Sequence, residues 1–426
     1  KSFIVMDGSC CGGEETDPHA VHGIQTKSGA FILSGKIIDR TGYEDGFVVK
    51  VPNSLPDGQV FLNQEDEFNL DWMVKIGKKN KRDGINAATS LEGAIFAGGY
   101  MQNPDDIING YLVKLGENSG DLIWARSFPS KIKTKESAIE SVIRSTNNAI
   151  LVAGVINADQ GTLEGFKSYG NPVSGDAFVM YFSEKQVTSK VAPKSPIWEL
   201  KIKDALAVKH LEELPGGDGF LLAVHGDEEP AAARVIKISF DGKPIWEIDV
   251  PNHGELTAIT VTQNGYFLSG HKADRFDGID ASISKISLNG DFLWNKSFGN
   301  PKGGELIFSG LDEGNPRLIY DECWGITEFK NGLVLACGTG IENCEDIDQD
   351  LAPVCENDPR TTWRSNLIHV DFSGNLISQR ASSFIFEGED DEDLPSTASE
   401  WVFTTKSGNL ASVVDLSFGV GLEILK

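Results

Sequence analysis

The sequence lacks most of the short motifs that identify an enzyme or a metal site directly. It has no His-Glu-x-x-His, Gly-x-Ser-x-Gly, phosphate loop or dinucleotide fingerprint, and no Cys-x-x-Cys pair with zinc-ligand spacing. It also lacks an apolar run of transmembrane length, and helical periodicity is nearly absent. These absences argue against the common motif-based enzymes, a structural zinc site and a helical membrane span.

Basic residues are few relative to acidic ones. The 426 residues include 38 Lys and Arg against 63 Asp and Glu, which gives a formal net charge of −25. Such a chain lacks the basic footprint that binds phosphate backbones and has a self-repelling surface. We therefore expect no nucleic-acid partner and no membrane insertion.

The six cysteines fall only near the N-terminus and in one later region: Cys10, Cys11, Cys323, Cys337, Cys344 and Cys355. The clustering of an even number of cysteines predicts disulfides and an oxidising compartment, and therefore a secreted, periplasmic or cell-surface protein. The absence of Met before Lys1 predicts a processed N-terminus. Cys344 and Cys355 are the predicted disulfide. Cys323 and Cys337 flank the Asn331-Gly332 turn, where Cys337 should face Ile326, so a bond between them is predicted to be geometrically poor. Cys10 and Cys11 either bond to each other or pair separately with the later cysteines.

A predicted unit of four short strands is repeated seven times along the chain. Period-2 apolar alternation bounded by Asn-Gly, Asp-Gly and Ser-Gly predicts antiparallel hairpins. Trp residues recur in the fourth strands at Trp72, Trp124, Trp198, Trp246 and Trp294. The opening strands are GIQTKSG, AATSLEG, VIRSTNN, LEELPGG, ITVTQNG, ITEFKNG and VFTTKSG.

Repeats of this length and strand number predict an all-β fold, a seven-bladed β-propeller of four-stranded blades. We expect one domain over residues 1–426, with blades at about 20–76, 84–128, 139–203, 208–250, 256–298, 323–384 and 400–426 plus 1–6. The last unit has only three strands, and Lys1-Ser2-Phe3 matches Lys296-Ser297-Phe298 in a fourth strand. The N-terminal strand is therefore predicted to complete the last blade and close the ring.

The (D/N)G-x-(L/I)-W hairpin that follows a V-x-K-(I/L) strand resembles the repeats of quinoprotein-like propellers and related bacterial surface proteins. The resemblance covers essentially the whole chain and concerns architecture. Its quinone-binding members imply tryptophan docking motifs and a Trp that stacks in the channel. Because the aligned Trp residues here lie on outer strands, we predict that they pack between blades.

Long connections on one side of the predicted ring mark a candidate binding face. Its basic residues are Lys78, Lys79, Lys81, Arg82, Lys131, Lys133 and Lys135, and its acidic ones are Glu387, Glu389, Asp390, Asp391, Glu392 and Asp393. One interpretation is a recognition or head-to-tail contact surface of opposed charges. The other is a solvated surface with random charge runs.

Weak catalytic or cation-binding candidates are His19, Asp83, Glu255 and Glu322, which we place at corresponding positions around the channel mouth. They could equally hydrate a polar channel. His225 and His271 also correspond, but too far apart to share a metal. Asp346, Asp348 and Asp350 resemble the start of a calcium loop, although Leu351 and Asn357 break the pattern, so a solvated acidic loop is the alternative.

These features favour a secreted or cell-surface, non-catalytic propeller. It would act as a binding or assembly module through its long loops, with a protein, a glycan or a second copy as partner. Calcium is the one cofactor suggested. The alternative is a propeller enzyme with its site at the channel mouth, either a quinone-dependent oxidoreductase or a polysaccharide lyase or hydrolase. A redox-responsive module based on Cys10-Cys11 is the third hypothesis.

Overall fold

The computed structural model describes residues 2–7, 16–39, 41–53, 58–62, 70–163, 174–226, 233–273, 279–299, 319–341, 363–382, 396–416 and 419–426. Within these ranges the chain is almost entirely β-strand, with a one-turn helix α1 (Glu184–Val187) and a 3-10 turn at Pro215–Gly217. None of the described helices is long and apolar enough to cross a membrane. The all-β class predicted from the period-2 pattern is confirmed.

The strands form consecutive antiparallel units, each running from a first to a fourth strand. Strand β1 (Ser2–Asp7) is the first strand of the chain. Strand β5 (Gly58–Leu62) falls between the third and fourth strands of unit one in the sequence, but it is not part of that sheet. Unit one contains β2 (Thr16–Gln25), β3 (Phe31–Asp39), β4 (Glu44–Val51) and β6 (Trp72–Ile76). Unit two contains β7 (Asp83–Leu91), β8 (Ala94–Gln102), β9 (Ile108–Gly116) and β10 (Leu122–Phe128). Unit three contains β11 (Lys135–Arg144), β12 (Ile150–Asp159), β13 (Asp176–Phe182) and β14 (Trp198–Ile202).

The later units repeat this order. Unit four contains β15 (Ala205–Glu213), β16 (Phe220–Gly226), β17 (Ala233–Ile238) and β18 (Pro244–Asp249). Unit five contains β19 (Glu255–Thr262), β20 (Gly265–Ala273), β21 (Ile279–Ile286) and β22 (Phe292–Phe298). Unit six contains β23 (Ile319–Phe329), β24 (Gly332–Ile341), β25 (Arg364–Asp371) and β26 (Leu376–Ser382). Unit seven contains β27 (Thr397–Thr404), β28 (Leu410–Leu416), β29 (Gly419–Leu425) and β1.

The first strands of these units contact one another in cyclic order: β2, β7, β11, β15, β19, β23, β27 and back to β2. Apolar side chains from neighbouring units fill the spaces between the sheets, as Phe96, Phe178 and Phe182 do between units two and three. One such sheet cannot bury both of its faces alone, so the units stack around an axis. The fold is a β-propeller of four-stranded antiparallel blades.

The units do not all form separate sheets. Five sheets each contain one unit, whereas units five and six form a single eight-stranded sheet in the described residues. The link is one parallel bridge between Ile279 in β21 and Tyr320 in β23. The predicted seven blades therefore do not appear as seven separate sheets, because the start of β23 runs beside the start of β21.

The predicted closure by the N-terminal strand is confirmed. β1 pairs antiparallel with β29, from Ser2 opposite Ile424 to Asp7 opposite Gly419. On its other edge β1 pairs in parallel with β5, which makes this sheet five-stranded. No strand over residues 58–62 was predicted from the sequence. β5 covers the open edge that β1 would otherwise present to solvent.

The fourth-strand Trp residues pack between units, as predicted. Trp72, Trp198, Trp246 and Trp294 each lie against a turn glycine of the next unit, namely Gly120, Gly242, Gly290 and Gly374. These glycines have φ between 71° and 94°, and a Cβ on any of them would come within 2.9 Å of the indole. Two of the indole Nε1–H groups donate to backbone carbonyls of the same turns, Trp72 to Glu117 at 2.9 Å and Trp198 to Phe240 at 3.1 Å.

Candidate functional site

The strand bounds divide the connections between two ends of the ring. The short-turn end carries 26–30, 92–93, 145–149, 263–264, 330–331 and 405–409. The long-loop end carries 160–175, 299–318, 342–363 and 383–396. Two long connections, 52–71 and 183–197, lie at the short-turn end. Two side chains of unit two bind the connection 183–197. Lys114 Nζ donates to Val187 O at 2.7 Å, and Arg126 donates to Pro193 O at 2.5 Å.

Six of the seven basic residues of the predicted binding face lie on two connections at the long-loop end, on either side of unit two, and Lys135 begins β11. Three of the seven have acidic partners: Lys81 with Asp106 at 2.5 Å, Arg82 with Glu44 at 3.5 Å, and Lys135 with Asp159. Lys78, Lys79, Lys131 and Lys133 are exposed. The positive patch is therefore smaller than its sequence suggests. The acidic run 387–393 lies outside the described residues.

The strand register separates the predicted channel-mouth residues into two positions. His19, Glu255 and Glu322 are equivalent and lie opposite Lys36, His271 and Gly338 respectively. In unit two that position belongs to Gly84, which lies opposite Tyr100, and Asp83 is one residue earlier. The expectation that Asp83 corresponds to the other three is wrong because of this one-residue offset.

The surroundings of Asp83 indicate a structural role. It is fully buried, and its two carboxylate oxygens accept the backbone N–H groups of Lys78 at 2.5 Å and Gln102 at 2.8 Å. Burial is the main cause that raises the pKa of Asp83 to about 6. Because both oxygens are used by backbone donors, the side chain fastens the connection 77–82 to the end of β8.

The remaining mouth candidates form two separate ion pairs. His19 Nδ1 lies 2.7 Å from Asp415 Oδ2, and His271 Nε2 lies 3.1 Å from Glu255 Oε2. Burial would raise the pKa of Glu255, but His271 and other cations outweigh it and lower that pKa to about 2. Burial likewise opposes the charged form of His271, but Glu255 and Glu322 raise its pKa. The pairing therefore favours the carboxylate form of Glu255 and the protonated form of His271.

Lys209 and His225 extend this second pair into a charged cluster, the mouth cluster: Lys209, His225, Glu255, His271 and Glu322. Lys209 is buried in β15, and its charge helps to lower the pKa of Glu255. Burial first and then Lys209 lower the pKa of His225 to about 4, so it is neutral at pH 7. Among the described residues no three His, Cys, Asp or Glu could hold a metal ion together. A lysine within the apolar run ALAVKHL was the sequence signal for this cluster, and it was missed.

Near the middle of the ring, one tryptophan of unit seven lies against histidines of units one and four. Trp401 contacts the His22 ring at a centroid distance of 4.7 Å and the His210 ring at 5.2 Å. His22 Nδ1 accepts the N–H of Ala88 at 3.3 Å, and His210 Nδ1 accepts that of Ile259 at 3.2 Å. Each imidazole thus satisfies a donor on the first strand of the next unit, an edge that has no strand partner. Sequence reasoning considered only the outer-strand Trp residues and missed this contact.

The structure contains a disulfide that the sequence argument rejected. Cys323 and Cys337 are bonded, with Cα atoms 4.0 Å apart, and both are fully buried. A β-bulge at Trp324 shifts the register, so Cys323 lies directly opposite Cys337 while Ile326 lies opposite Leu335. The prediction of poor geometry is therefore wrong, because it assumed a regular hairpin. Cys10, Cys11, Cys344, Cys355 and Asp346, Asp348 and Asp350 lie outside the described residues.

Replacing both Cys323 and Cys337 by Ala should lower the free energy of unfolding by about 3 kcal/mol, since the bond closes a short loop. Urea denaturation of the oxidised wild type and the double variant gives the difference. The same loss should appear when the wild type is unfolded under reductant, whereas the variant should be insensitive to it at this site. Peptide mapping without reductant that finds both thiols free would contradict the bond.

Sequence comparison adds no family: no protein-family model matches the chain, and no curated protein matches it in sequence. Solved structures match its fold at low identity. Hydrazine synthase from Kuenenia stuttgartiensis has a TM-score of 0.51 at 8% identity, over 93% of this chain and 92% of that one. The WD40 β-propeller domain of Doa1 has 0.47 at 12%, over 96% and 93%. A quinohemoprotein alcohol dehydrogenase from Pseudomonas putida has 0.45 at 9%, over 95% and 72%. At such identities the similarity concerns the propeller fold alone.

Proposed function

We propose that residues 1–426 form one seven-bladed propeller that acts as a non-catalytic binding or assembly module through its long-loop end. The carrying observation is the unequal distribution of connections, since four of the six connections longer than ten residues lie at one end of a rigid ring. The count of seven treats units five and six as two blades, because one bridge is their only strand pairing in the described residues. The partner is a protein, a glycan or a second copy of the chain.

Export from the cytosol is part of the same proposal. Cys323 and Cys337 form a buried disulfide, and the described part of the chain contains no free cysteine. Stable disulfides belong mainly to oxidising compartments. The compartment we propose is extracellular, periplasmic or the cell surface.

The enzymatic alternative has weaker support in the geometry. A polysaccharide lyase or hydrolase would use the mouth cluster, but Glu255 and His271 are paired with each other and largely buried. A quinone-dependent oxidoreductase would need an aromatic surface for the cofactor in the channel. Trp401 is buried against two imidazoles in the middle of the ring. Both arrangements support packing of the ring better than catalysis.

Charge reversal at the long-loop end tests the binding proposal. The triple variant Lys79→Glu, Lys131→Glu, Lys133→Glu changes three exposed side chains beside unit two. The matched control Lys27→Glu, Lys185→Glu, Lys190→Glu makes the same change in net charge at the short-turn end. Sedimentation velocity would measure self-association, and a glycan array would measure carbohydrate binding, each at low and physiological salt.

We expect the first triple to slow or weaken binding about tenfold at low salt, because exposed charges act mainly on the association rate and are screened by salt. The control triple should bind like the wild type, and both triples should keep the wild-type melting temperature. Equal effects of the two triples would mean that the long-loop end has no special role in binding.

A further inference from the structure

The fourth strand of each unit forms the outer edge of its sheet. In unit seven this edge is covered, because β5 pairs in parallel with β1 from Ser2 opposite Gly58 to Met6 opposite Leu62. In the described ranges, the fourth strands of the other six units pair only with their own third strands. An outer edge of this ring thus binds an extended segment in one unit, and six edges of the same kind have no such cover among the described residues.

β18 differs from the other five uncovered strands in the sign of its charges. Its only charged residues, Glu247 and Asp249, are acidic and exposed. Asp249 is paired with Arg234 at 3.3 Å, and Glu247 has no ion pair in the described part of the chain. Lysine on an edge strand is a common protection against pairing with another chain, and β18 lacks it. Each of the other five strands carries a basic residue: Lys75, Arg126, Lys201, Lys296 or Arg380.

Glu247 and Asp249 also present their backbone groups to the uncovered side of β18. Val250 N–H donates to Ala233 O at 2.7 Å, so the backbone of Val250 faces the β17 side. Along a strand, the N–H and C=O groups of successive residues point to opposite sides. Those of Ile248 therefore face β17 as well, whereas those of Asp249 and Glu247 face away from it. An added strand finds its hydrogen-bond partners at these two residues.

The two faces of β18 differ in chemistry. Glu247 and Asp249 lie on one face, and the half-buried Trp246 and Ile248 lie on the other, where they pack against the core between units four and five. The β-bulge that precedes Trp246 places Ile245 at the surface, where it is 53% exposed. A strand added at this edge continues both faces. Its side chains should therefore alternate between basic ones beside the carboxylates and aliphatic ones beside the indole.

We propose that the edge of β18 binds an extended segment of a partner protein as a fifth strand of unit four, and that this segment alternates basic and aliphatic residues. Backbone hydrogen bonds supply affinity, and the two side-chain faces supply specificity. A second copy of the chain does not suit this edge. Two β18 strands would bring the Glu247 and Asp249 carboxylates of both copies together, and each copy carries a net charge of −25. The site lies on the outer rim and is independent of the long-loop end.

The probe is a synthetic peptide of Lys and Val in strict alternation, added to the full chain. A peptide of the same composition, with its lysines and its valines in two blocks, is the control, since it has the same charge but no alternating faces. Fluorescence anisotropy measures binding, and NMR measures amide hydrogen exchange of the protein. We expect saturable binding of the alternating peptide, with exchange at Glu247 and Asp249 slowed about tenfold and exchange at Val250 unchanged.

Two variants separate backbone pairing from charge. Glu247→Pro removes an outward N–H and leaves the bonds to β17, and edge strands accept proline at such positions. It should fold and bind the alternating peptide about tenfold more weakly, because one backbone hydrogen bond is lost. Glu247→Lys keeps the N–H and should weaken binding about fivefold at low salt, since an attraction becomes a repulsion that salt screens. Glu199→Lys makes the same change on the outer strand β14 and should bind like the wild type.

Equal binding of the alternating and block peptides, no saturable binding, or unchanged exchange at Glu247 and Asp249 in the complex would each overturn the proposal. The exchange measurement uses the wild type, so it decides the matter even if Glu247→Pro does not fold. Slow exchange at these two amides in a concentration-dependent dimer, without peptide, would assign the edge to a second copy instead.

Discussion

Deleting residues 1–7 should destabilise the propeller by about 5 kcal/mol and make it prone to aggregation. β1 pairs with β29 over six residue pairs and with β5 over five. Each lost backbone hydrogen bond costs about 1 kcal/mol net. The deletion also opens the edge of β29 to solvent and leaves β5 without its strand partner, and an open edge is a template for pairing between molecules.

Equilibrium unfolding in urea and light scattering would measure the two effects. A synthetic peptide of residues 1–8 added to the truncated protein should restore stability, because it can occupy the vacant position beside β29. A scrambled peptide of the same composition is the control. If the truncated chain unfolds at the same urea concentration as the full chain, β1 does not close the ring.

The repeat made this closure predictable from sequence. No fourth strand follows GVGLEILK, and Lys1-Ser2-Phe3 matches Lys296-Ser297-Phe298 of a fourth strand. Predicting the closure from these two observations requires only the strand period and the need to cover an exposed edge. The packing of the fourth-strand Trp residues between units was predictable from the same repeat, because each of these Trp residues recurs with a turn glycine downstream. β5 was not, because GQVFL lies outside the four-strand unit and pairs with a strand that is distant in sequence.

The bulges explain most of what the sequence could not show. A bulge inserts one residue without changing composition, so the alternation read from ECWGI assigned Cys323 to the wrong face and missed the bond to Cys337. The same insertion sets the register of Gly84 against Glu255, and therefore the offset of Asp83. Trp401, His22 and His210 come from units seven, one and four, and only the closed ring brings them together.

Acidification should destabilise the fold through two buried histidines. His253 is fully buried, with Nδ1 2.8 Å from Ser284 Oγ, and burial is the main cause that lowers its pKa to about 3. Burial and Lys209 lower the pKa of His225 to about 4. Below pH 6.5 the unfolded chain binds protons at both residues that the native fold excludes. Between pH 6.5 and 4.5 each histidine should therefore reduce the free energy of unfolding by about 2 kcal/mol, because the slope rises from half of 1.36 kcal/mol per pH unit at pH 6.5 towards its full value at lower pH.

Other groups change stability in the opposite direction over the same range, so the profile of the whole protein is a sum. Burial raises the pKa of Glu212 to about 8 and that of Asp83 to about 6, and both favour the native fold as the pH falls. Variants isolate one histidine from this sum. His253→Gln should become more stable relative to the wild type as the pH falls, by about 2 kcal/mol between pH 6.5 and 4.5.

His271→Gln is the matched control because its sign is opposite. Glu255 and Glu322 raise the pKa of His271, so protonation of this imidazole stabilises the native fold, most fully below pH 6.5. The variant lacks that contribution and should lose stability relative to the wild type as the pH falls towards 6.5. Urea unfolding of the three proteins at half-unit steps of pH measures all the differences. Parallel profiles for wild type and His253→Gln would show that His253 does not stay neutral in the native fold, and that its burial is not what limits stability in acid.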